Sequence, residues 1–419
     1  MKAPVEQYER QLLEALRAFL RSEPARVLLT EQADWARLWE LAAQQKVLPM
    51  AADALAPALR SSGGEANLTA VRKTAVQTMT VQFHRSAVFL ELYRKLLEKG
   101  TRPLVVKGIL CRELYPKPDL RISADEDLLV AEEELSTVLA VLRKAGMTVE
   151  DPDAEQVLAC RDSRTGLYLE LHRTLFPASS EVYGGLNRFF DDAFANAAEV
   201  PVEGGTVWSL CPEAHLLYLI LHSFKHFLHS GFGIRQVCDI CLFTRAYGAE
   251  LDWRRLADRL AQARADVFAA NLLAIGREYL GFSRYPEEAE AWMAGFGDNL
   301  DCGDLLEDLL ASGIYGSSSL SRQHSSLITL NAVKDGAGGK GAHRVLRTMF
   351  PARKDLLRAY PYLERYPWLL PAAWVHRFFN YAVARLTGRV SREEGAEGMR
   401  IADERLRLLS DLGMRGRKK

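Results

Sequence analysis

The stretch from Pro103 to Val130, PLVVKGILCRELYPKPDLRISADEDLLV, constrains the fold of this chain more than any other. Leu104-Val105-Val106 reads as a short buried strand, Lys107-Gly108 as a tight turn, and Ile109 to Tyr115 as the helix that follows. Pro116 and Pro118 end that helix. Asp125-Glu126-Asp127 then opens an apolar run, Leu128-Leu129-Val130. Side chains of a strand alternate between its faces, so Asp125 and Asp127 point one way and Glu126 the other. Like charges on one face repel unless a cation stands between them, and a hard divalent ion such as Mg²⁺, which prefers oxygen ligands, is the usual partner. The other reading is a solvated strand end. A helix starting after Gly108 presents free backbone N–H groups beside a glycine that admits a ligand and a lysine that can meet phosphate. Arg121 lies four residues ahead of the acids.

Strand, glycine turn, helix, then Asp-x-Asp on the next strand resembles the core of the DNA polymerase β-like nucleotidyltransferase superfamily. More narrowly, VVKGILCRELYP and DLRISADEDLLV are similar to a bacterial group of uncharacterised nucleotidyltransferases. That group's Lys-Gly, Tyr-Pro, Arg and Asp-x-Asp-Leu-Leu-Val are met here by Lys107, Gly108, Tyr115, Pro116, Arg121, Asp125 and Asp127 to Val130. The superfamily normally carries Gly-Ser or Gly-Gly at the turn, where Lys107-Gly108 stands here. The departure touches the seat of the triphosphate and leaves the metal site alone.

The same superfamily uses a third acid on a later strand. Leu167-Tyr168-Leu169-Glu170-Leu171-His172 alternates so that the three leucines share one face and Tyr168, Glu170 and His172 the other. Asp162 to Gly166 reads as a hairpin turn fed by Gln156 to Arg161. By resemblance, Glu170 is the third ligand; an ordinary polar strand face is the competing reading.

With 419 residues, 48% of them hydrophobic, the chain is long enough for two or three domains with real cores. Its formal net charge is zero, so nothing global argues for a nucleic-acid or membrane partner. From His343 onward, however, 17 Lys and Arg face 8 Asp and Glu. Six scattered cysteines read as reduced thiols of a cytoplasmic protein, and Cys238-x-x-Cys241, with no second pair nearby, is a weak zinc motif. The first twenty residues mix charges at helical spacing and lack a signal peptide's apolar region, and no run approaches the ~20 apolar residues that cross a bilayer.

In order along the chain, residues 1–82 read as an N-terminal helical region: Tyr8 to Leu20, Trp35 to Gln45 and Val47 to Leu59, with a break at Ser61 to Gly64. WELAAQQKVLPMAADAL resembles the helical lead-in of the same bacterial group. A long helix from Leu68 to Lys99 delivers the chain to Leu104. Residues 83–207 form the expected nucleotidyltransferase core, with a helix from Glu132 to Lys144 capped by Gly146 and a strand from Met147 to Glu150. The fold class is therefore α+β, a small mixed β-sheet nucleotidyltransferase core embedded in a mostly helical protein.

Residues 208–310 read as a helical domain facing the nucleotide. Pro212 to His229 is a helix opened by proline and closed by glycines, on which His215, His222, His226 and His229 fall within a stripe of roughly 60°. Such a stripe could bind a metal, form a polar seam or wall a substrate cleft. HSFKHFLHSGFGIRQVCDI resembles the second motif of the same group, with His222, Lys225, His226, Arg235 and Asp239 as matching positions. Lys225 and Arg235 then suit a cation role toward the nucleotide; a solvated lysine and an arginine paired to Asp239 is the plainer alternative. Leu251 to Leu280 and Pro286 to Leu310 read as further helices. Residues 311–342, with Ser317 to Ser319 and the glycine-rich Gly336 to Gly341, read as a flexible linker, since the latter lacks the spacing and strand of a phosphate loop. Residues 343–419 form a C-terminal helical basic region in which Met349 to Arg377 resembles the group's C-terminal signature. Its last residues are a solvated tail or a contact for RNA or an acidic partner.

The resemblance implies transfer of a nucleoside monophosphate from an NTP to an unknown acceptor (small molecule, protein or RNA), with release of pyrophosphate. Asp125, Asp127 and Glu170 hold two Mg²⁺ ions, Mn²⁺ being possible. Lys107, Gly108, Arg121, His172, His222, Lys225, His226 and Arg235 contact the nucleotide. Two alternatives stand beside it: a catalytically silent nucleotide-binding scaffold, suggested by the altered turn, and a toxin-like enzyme modifying RNA, suggested by the basic C-terminal region.

Overall fold

The computed structural model describes residues 6–29, 32–150, 157–229, 231–297, 300–312, 353–356, 360–376, 405 and 407–412. Four helices come first: α1 (Gln7–Arg21), α2 (Gln32–Gln44), α3 (Leu48–Ser61) and α4 (Glu65–Glu98). Leu12, Leu13, Leu16, Phe19 and Leu20 recur at helical spacing, so α1 buries one flank and packs on α3. α4 has 34 residues, which makes it roughly 50 Å long. Phe89, Leu92, Tyr93 and Leu96 near its end recur three and four residues apart and enter the main core of the sheet.

The sheet is built from β1 (Leu104–Val105), β2 (Glu126–Leu129), β3 (Thr148–Val149), β4 (Leu158–Arg161), β5 (Tyr168–His172), β6 (Ala198–Val202) and β7 (Gly205–Ser209). Helix α5 (Ile109–Arg112) follows β1, and α6 (Leu135–Lys144) follows β2. The seven strands lie in the order β3-β4-β5-β2-β1-β7-β6. β2 runs parallel to β5 and β1 parallel to β7, while the other pairings are antiparallel. The sheet is mixed and set among helices, as the α+β reading requires.

Alternation decides which residues reach which face. Leu128, Val130, Leu167, Leu169 and Leu171 join Val138 and Leu142 of α6 and the end of α4 in one core, each such side chain contributing about 1.5–3 kcal/mol by leaving water. Their strand neighbours Asp127, Glu170 and His172 are thereby sent to the opposite face.

Several elements differ from the sequence reading. The helix expected over Ile109 to Tyr115 ends at Arg112, because the residue before Pro116 is disfavoured in helical conformation and the chain tightens through Tyr115 N–H to Arg112 O at 3.0 Å. The stretch Leu251 to Leu280 is two helices, α9 and α10 once α7 (Pro212–His229) and α8 (Ile234–Tyr247) are counted: Trp253–Gln262 and Asp266–Tyr279. Arg264, at φ 55°, turns the chain between them, and α10 then buries every residue from Val267 to Gly276. The stretch Pro286 to Leu310 likewise divides into α11 (Glu287–Ala294) and α12 (Cys302–Ser312).

The chain forms two compact units, one of residues 1–225 with 232–314 and one of residues 226–231 with 315–419. In the second, Leu356, Tyr360, Leu363 and Ala373 make a small core, and Arg405 is buried with its guanidinium over the Phe227 ring. The expected linker from 313 onward and most of the basic C-terminal region lie outside the described residues. All six cysteines are free, including Cys238 and Cys241, and among the described residues no helix is long and apolar enough to cross a membrane.

Candidate active site

In the parallel pairing of β2 and β5, Asp127 stands opposite Glu170 and Leu129 opposite His172. One ligand atom each of Asp127, Glu170 and His172 lies within 4.8 Å of the other two. The His172 Nε2–H donates to Asp127 Oδ1 at 2.9 Å and lies 3.7 Å from Glu170 Oε2. Asp127 Oδ2 faces the ammonium of Lys107 at 2.9 Å, a charge-assisted contact. Asp125 precedes β2 and stands outside the close group, yet its charge is felt at Lys107 and Glu170. The Asp127 side chain is 1% exposed and that of Glu170 28%, so a ligand reaches the cluster from the Glu170 side.

Burial raises the pKa of a carboxyl by penalising its charged form, and the two acids part company in what opposes it. At Asp127, burial is outweighed by Lys107 and by His172, which hold the carboxyl well below the usual range. At Glu170, burial and the charges of Asp127 and Asp125 push the carboxyl up, against smaller opposing effects of Lys107 and His172. Burial lowers the Lys107 ammonium, but Asp127, Tyr218 and Asp125 outweigh it, and the lysine stays charged. One acid is a fixed anion; the other is the more basic and the more accessible.

Helix α7 crosses this face of the sheet. Its first histidine is structural: His215 Nε2–H donates to Val106 O at 2.8 Å, and burial pushes the ring down to about 4. One turn on, Tyr218 packs edge-on against Phe176 and Phe190. His222 Nε2 accepts from the Lys107 ammonium at 3.2 Å, which leaves its Nδ1–H facing the Tyr218 hydroxyl at 3.3 Å. The histidine stripe is thus a polar seam at His215 and a site wall at His222. Lys225 is half-buried one turn further, and His226 belongs to the second unit.

Arg121 and Arg235 are committed elsewhere. Arg121 pairs with Asp239 of α8 through Nε at 3.1 Å and Nη2 at 2.6 Å, and Tyr115 OH donates to the same carboxylate at 2.7 Å. Arg235 donates to the carbonyl of Ile122. Both arginines therefore clamp the segment leading into the acids, and the partner of Asp239 is Arg121 rather than Arg235.

The turn itself is filled from within. Glu126 Oε2 accepts the Ile109 N–H at 2.8 Å, and Oε1 pairs with Arg112 at 2.8 Å. A Cβ on Gly108 would lie 1.7 Å from Glu126 Oε2, and the backbone there has φ 64°, so only glycine fits. The Ile109 amide, one of the N–H groups expected to be free at the start of the helix, is already bonded. Arg112 was missed in the sequence; a lone cation among Ile109, Leu110 and Cys111 is the signal that asks for a buried acid.

A family model described as uncharacterised nucleotidyltransferase matches residues 31–281, a span that holds every element of this site. The chain belongs to that family. No curated protein matches it. Among solved structures, an antigenic nucleotidyltransferase-like protein from Paracoccidioides brasiliensis matches at 16% identity and a TM-score of 0.29, over 46% of this chain and 92% of that one. Membership supports nucleotidyl transfer in general and a nucleotide as substrate.

The donor set fits a divalent ion. Two carboxylates suit Mg²⁺ or Mn²⁺, one ligand atom each of Asp127, Glu170 and His172 lies within 4.8 Å of the others, and His172 holds Oδ1 of Asp127 in the manner of an outer-shell partner. The imidazole, a poor ligand for Mg²⁺, is tolerated better by Mn²⁺.

Proposed function

We propose that the protein is a divalent-metal-dependent nucleotidyltransferase that moves a nucleoside monophosphate from an NTP to an acceptor oxygen and releases pyrophosphate. The observation that carries this reading is the register of Asp127 against Glu170 on adjacent parallel strands, with His172 on the same face. Asp125, Asp127 and Glu170 would hold Mg²⁺, with Mn²⁺ as the alternative. When bound, the metal neutralises phosphate oxygens and makes the attacking hydroxyl more acidic.

The roles of the side chains follow from their electrostatics. Asp127, locked as an anion, is the fixed ligand. Glu170, partly exposed and with its pKa raised, takes the acceptor proton as the acceptor oxygen bonds to the α-phosphorus. The bond from that phosphorus to the bridging oxygen breaks, and the pyrophosphate leaves toward the cation nearest the acids, Lys107. His222 steers that lysine. Arg121 and Arg235 act at a distance, by fixing the segment that carries Asp125.

The test is transfer of label from each of the four α-labelled NTPs into cell extract by the purified protein. Transfer that survives both Asp125→Asn and Asp127→Asn would defeat the assignment. A second reading, nucleotide binding without chemistry, is favoured by one observation: Glu126 occupies the Ile109 amide at the turn. Mg²⁺-dependent NTP binding with no pyrophosphate released over a broad acceptor screen would establish it.

A further inference from the structure

In the second unit, the 17 residues from Tyr360 to His376, YPYLERYPWLLPAAWVH, hold three charge-bearing side chains, Glu364, Arg365 and His376, and no Ser, Thr, Asn, Gln or Gly. A segment so apolar belongs in a core, yet eleven of the 17 residues are exposed. Trp368 is 72% exposed and Val375 69%, and Tyr362 and Tyr366 are exposed as well. Apolar surface of this extent marks a place of interaction.

Helical spacing explains why the small core leaves these side chains out. Residues 370–376 are helical, and Leu370, Ala373 and Trp374, three and four apart, belong to the cluster of Leu356, Tyr360 and Leu363. The other side of that helix, which ordinarily carries polar groups, is Pro371, Ala372 and Val375, all exposed. The turn of helix at Tyr362–Arg365 repeats the pattern: Leu363 is in the core, while Tyr362 and, four residues on, Tyr366 are outside it. Tyr366 meets Trp368 edge-on at 6.1 Å, and the Arg365 guanidinium lies 5.7 Å from the Tyr366 ring centre.

Charge selects the partner. The whole chain is neutral, but residues 344–358 hold five Arg and Lys against one Asp, and residues 377–392 hold four Arg and no acid. Tryptophan, tyrosine and aliphatic side chains, entered and left by cationic chain, match the interface of a bilayer with anionic headgroups, where rings sit at headgroup depth and Arg and Lys meet phosphates. A nucleic acid fits less well, because the segment has no amide side chain to read a base and proline and valine offer no stacking face. A second copy would set one cationic flank against another.

We propose that residues 360–376 dock on an anionic lipid surface, with Tyr362, Tyr366, Trp368 and Val375 entering the headgroup region. The contact lies on the membrane and not through it, as no helix among the described residues is long and apolar enough to cross one. Docking of this kind needs no nucleotidyl transfer, so it stands or falls apart from the activity proposed above.

Full-length protein is sedimented with vesicles of phosphatidylcholine alone and with vesicles in which about one-third of the lipid is phosphatidylserine. Binding to the anionic vesicles should exceed binding to the neutral ones roughly tenfold or more, and should weaken as sodium chloride is raised. Trp368→Ser and Val375→Ser together, at side chains outside the core, should leave the urea midpoint unchanged and lower binding to anionic vesicles roughly tenfold or more. Trp368→Phe should bind nearly as well as the wild type but lose most of the blue shift in tryptophan fluorescence that the wild type shows on these vesicles. No sedimentation with either vesicle, equal binding to both, or full binding by the double variant would overturn the proposal. So would a wild-type dimer that the double variant breaks in the absence of lipid, or saturable binding to oligouridylate in preference to the anionic vesicles.

Discussion

Asp127 and Glu170 stand opposite each other across two parallel strands and respond to burial in opposite directions. The cause is the position of Lys107, which is 2.9 Å from Asp127 and leaves Glu170 to face two carboxylates. A carboxyl raised in the folded state costs stability wherever it is ionised, so the cost is present above about pH 4.5 and vanishes below it. Glu170→Gln should therefore raise the metal-free Tm at pH 7 by roughly 1–3 °C, while ending transfer. Mg²⁺ or Mn²⁺ should raise the Tm of the wild type and do so much less in this variant, which differential scanning calorimetry would show.

Asp127→Asn should have the opposite effect on stability. The amide keeps the shape but leaves the Lys107 ammonium, 18% exposed, without its counter-charge, at a cost of about 3–5 kcal/mol in urea unfolding. Lys107→Met in the same background should recover much of that loss, because a neutral pair no longer buries a lone charge. No recovery would mean that the ion pair is not what Asp127 contributes.

His215 gives the fold its acid sensitivity. Burial holds its folded pKa at about 4 against 6.5 when unfolded, so between those values the unfolded chain binds the proton and the folded chain does not. Stability should fall by about 3 kcal/mol from this group as pH drops from 7 to 4. His215→Gln, which can still donate to Val106 O, should flatten the slope of unfolding free energy against pH over that window. A slope equal to that of the wild type would exclude His215 as its source.

Gly108→Ala should be among the most damaging single changes. The new methyl would meet Glu126 at 1.7 Å in a backbone region that side chains avoid, a cost of about 3 kcal/mol or more. Insoluble expression or a large drop in urea midpoint is the expected result. A nearly native midpoint would show that Glu126 does not occupy the turn.

Much of the site was legible in the chain. The alternation of LYLEL could only put Glu170 and His172 on the face opposite the leucines, and Asp127 two residues after Asp125 could only face away from Glu126. Less was legible where a charged side chain chooses its partner. Arg121 and Arg235 look alike as cations near the acids, yet one is spent on Asp239 and the other on a carbonyl. Lys107 reads as a phosphate group's partner, and the fold pairs it with Asp127 and His222. Most of these choices join residues more than a hundred positions apart, and even Lys107 and Asp127 stand on different elements, so no local pattern encodes them.

The amino-acid order alone set the alternating faces, the glycine turn and the helices, because strand period, φ preference and apolar spacing are properties of neighbours in the chain. Which acid faces which was settled only when β2 lay beside β5 in one register, since a one-residue slip would turn Glu170 away from Asp127. The filling of the turn by Glu126 and the opposed ionisation of the two acids also arise there, because charge and desolvation act through space and answer to the packed sheet.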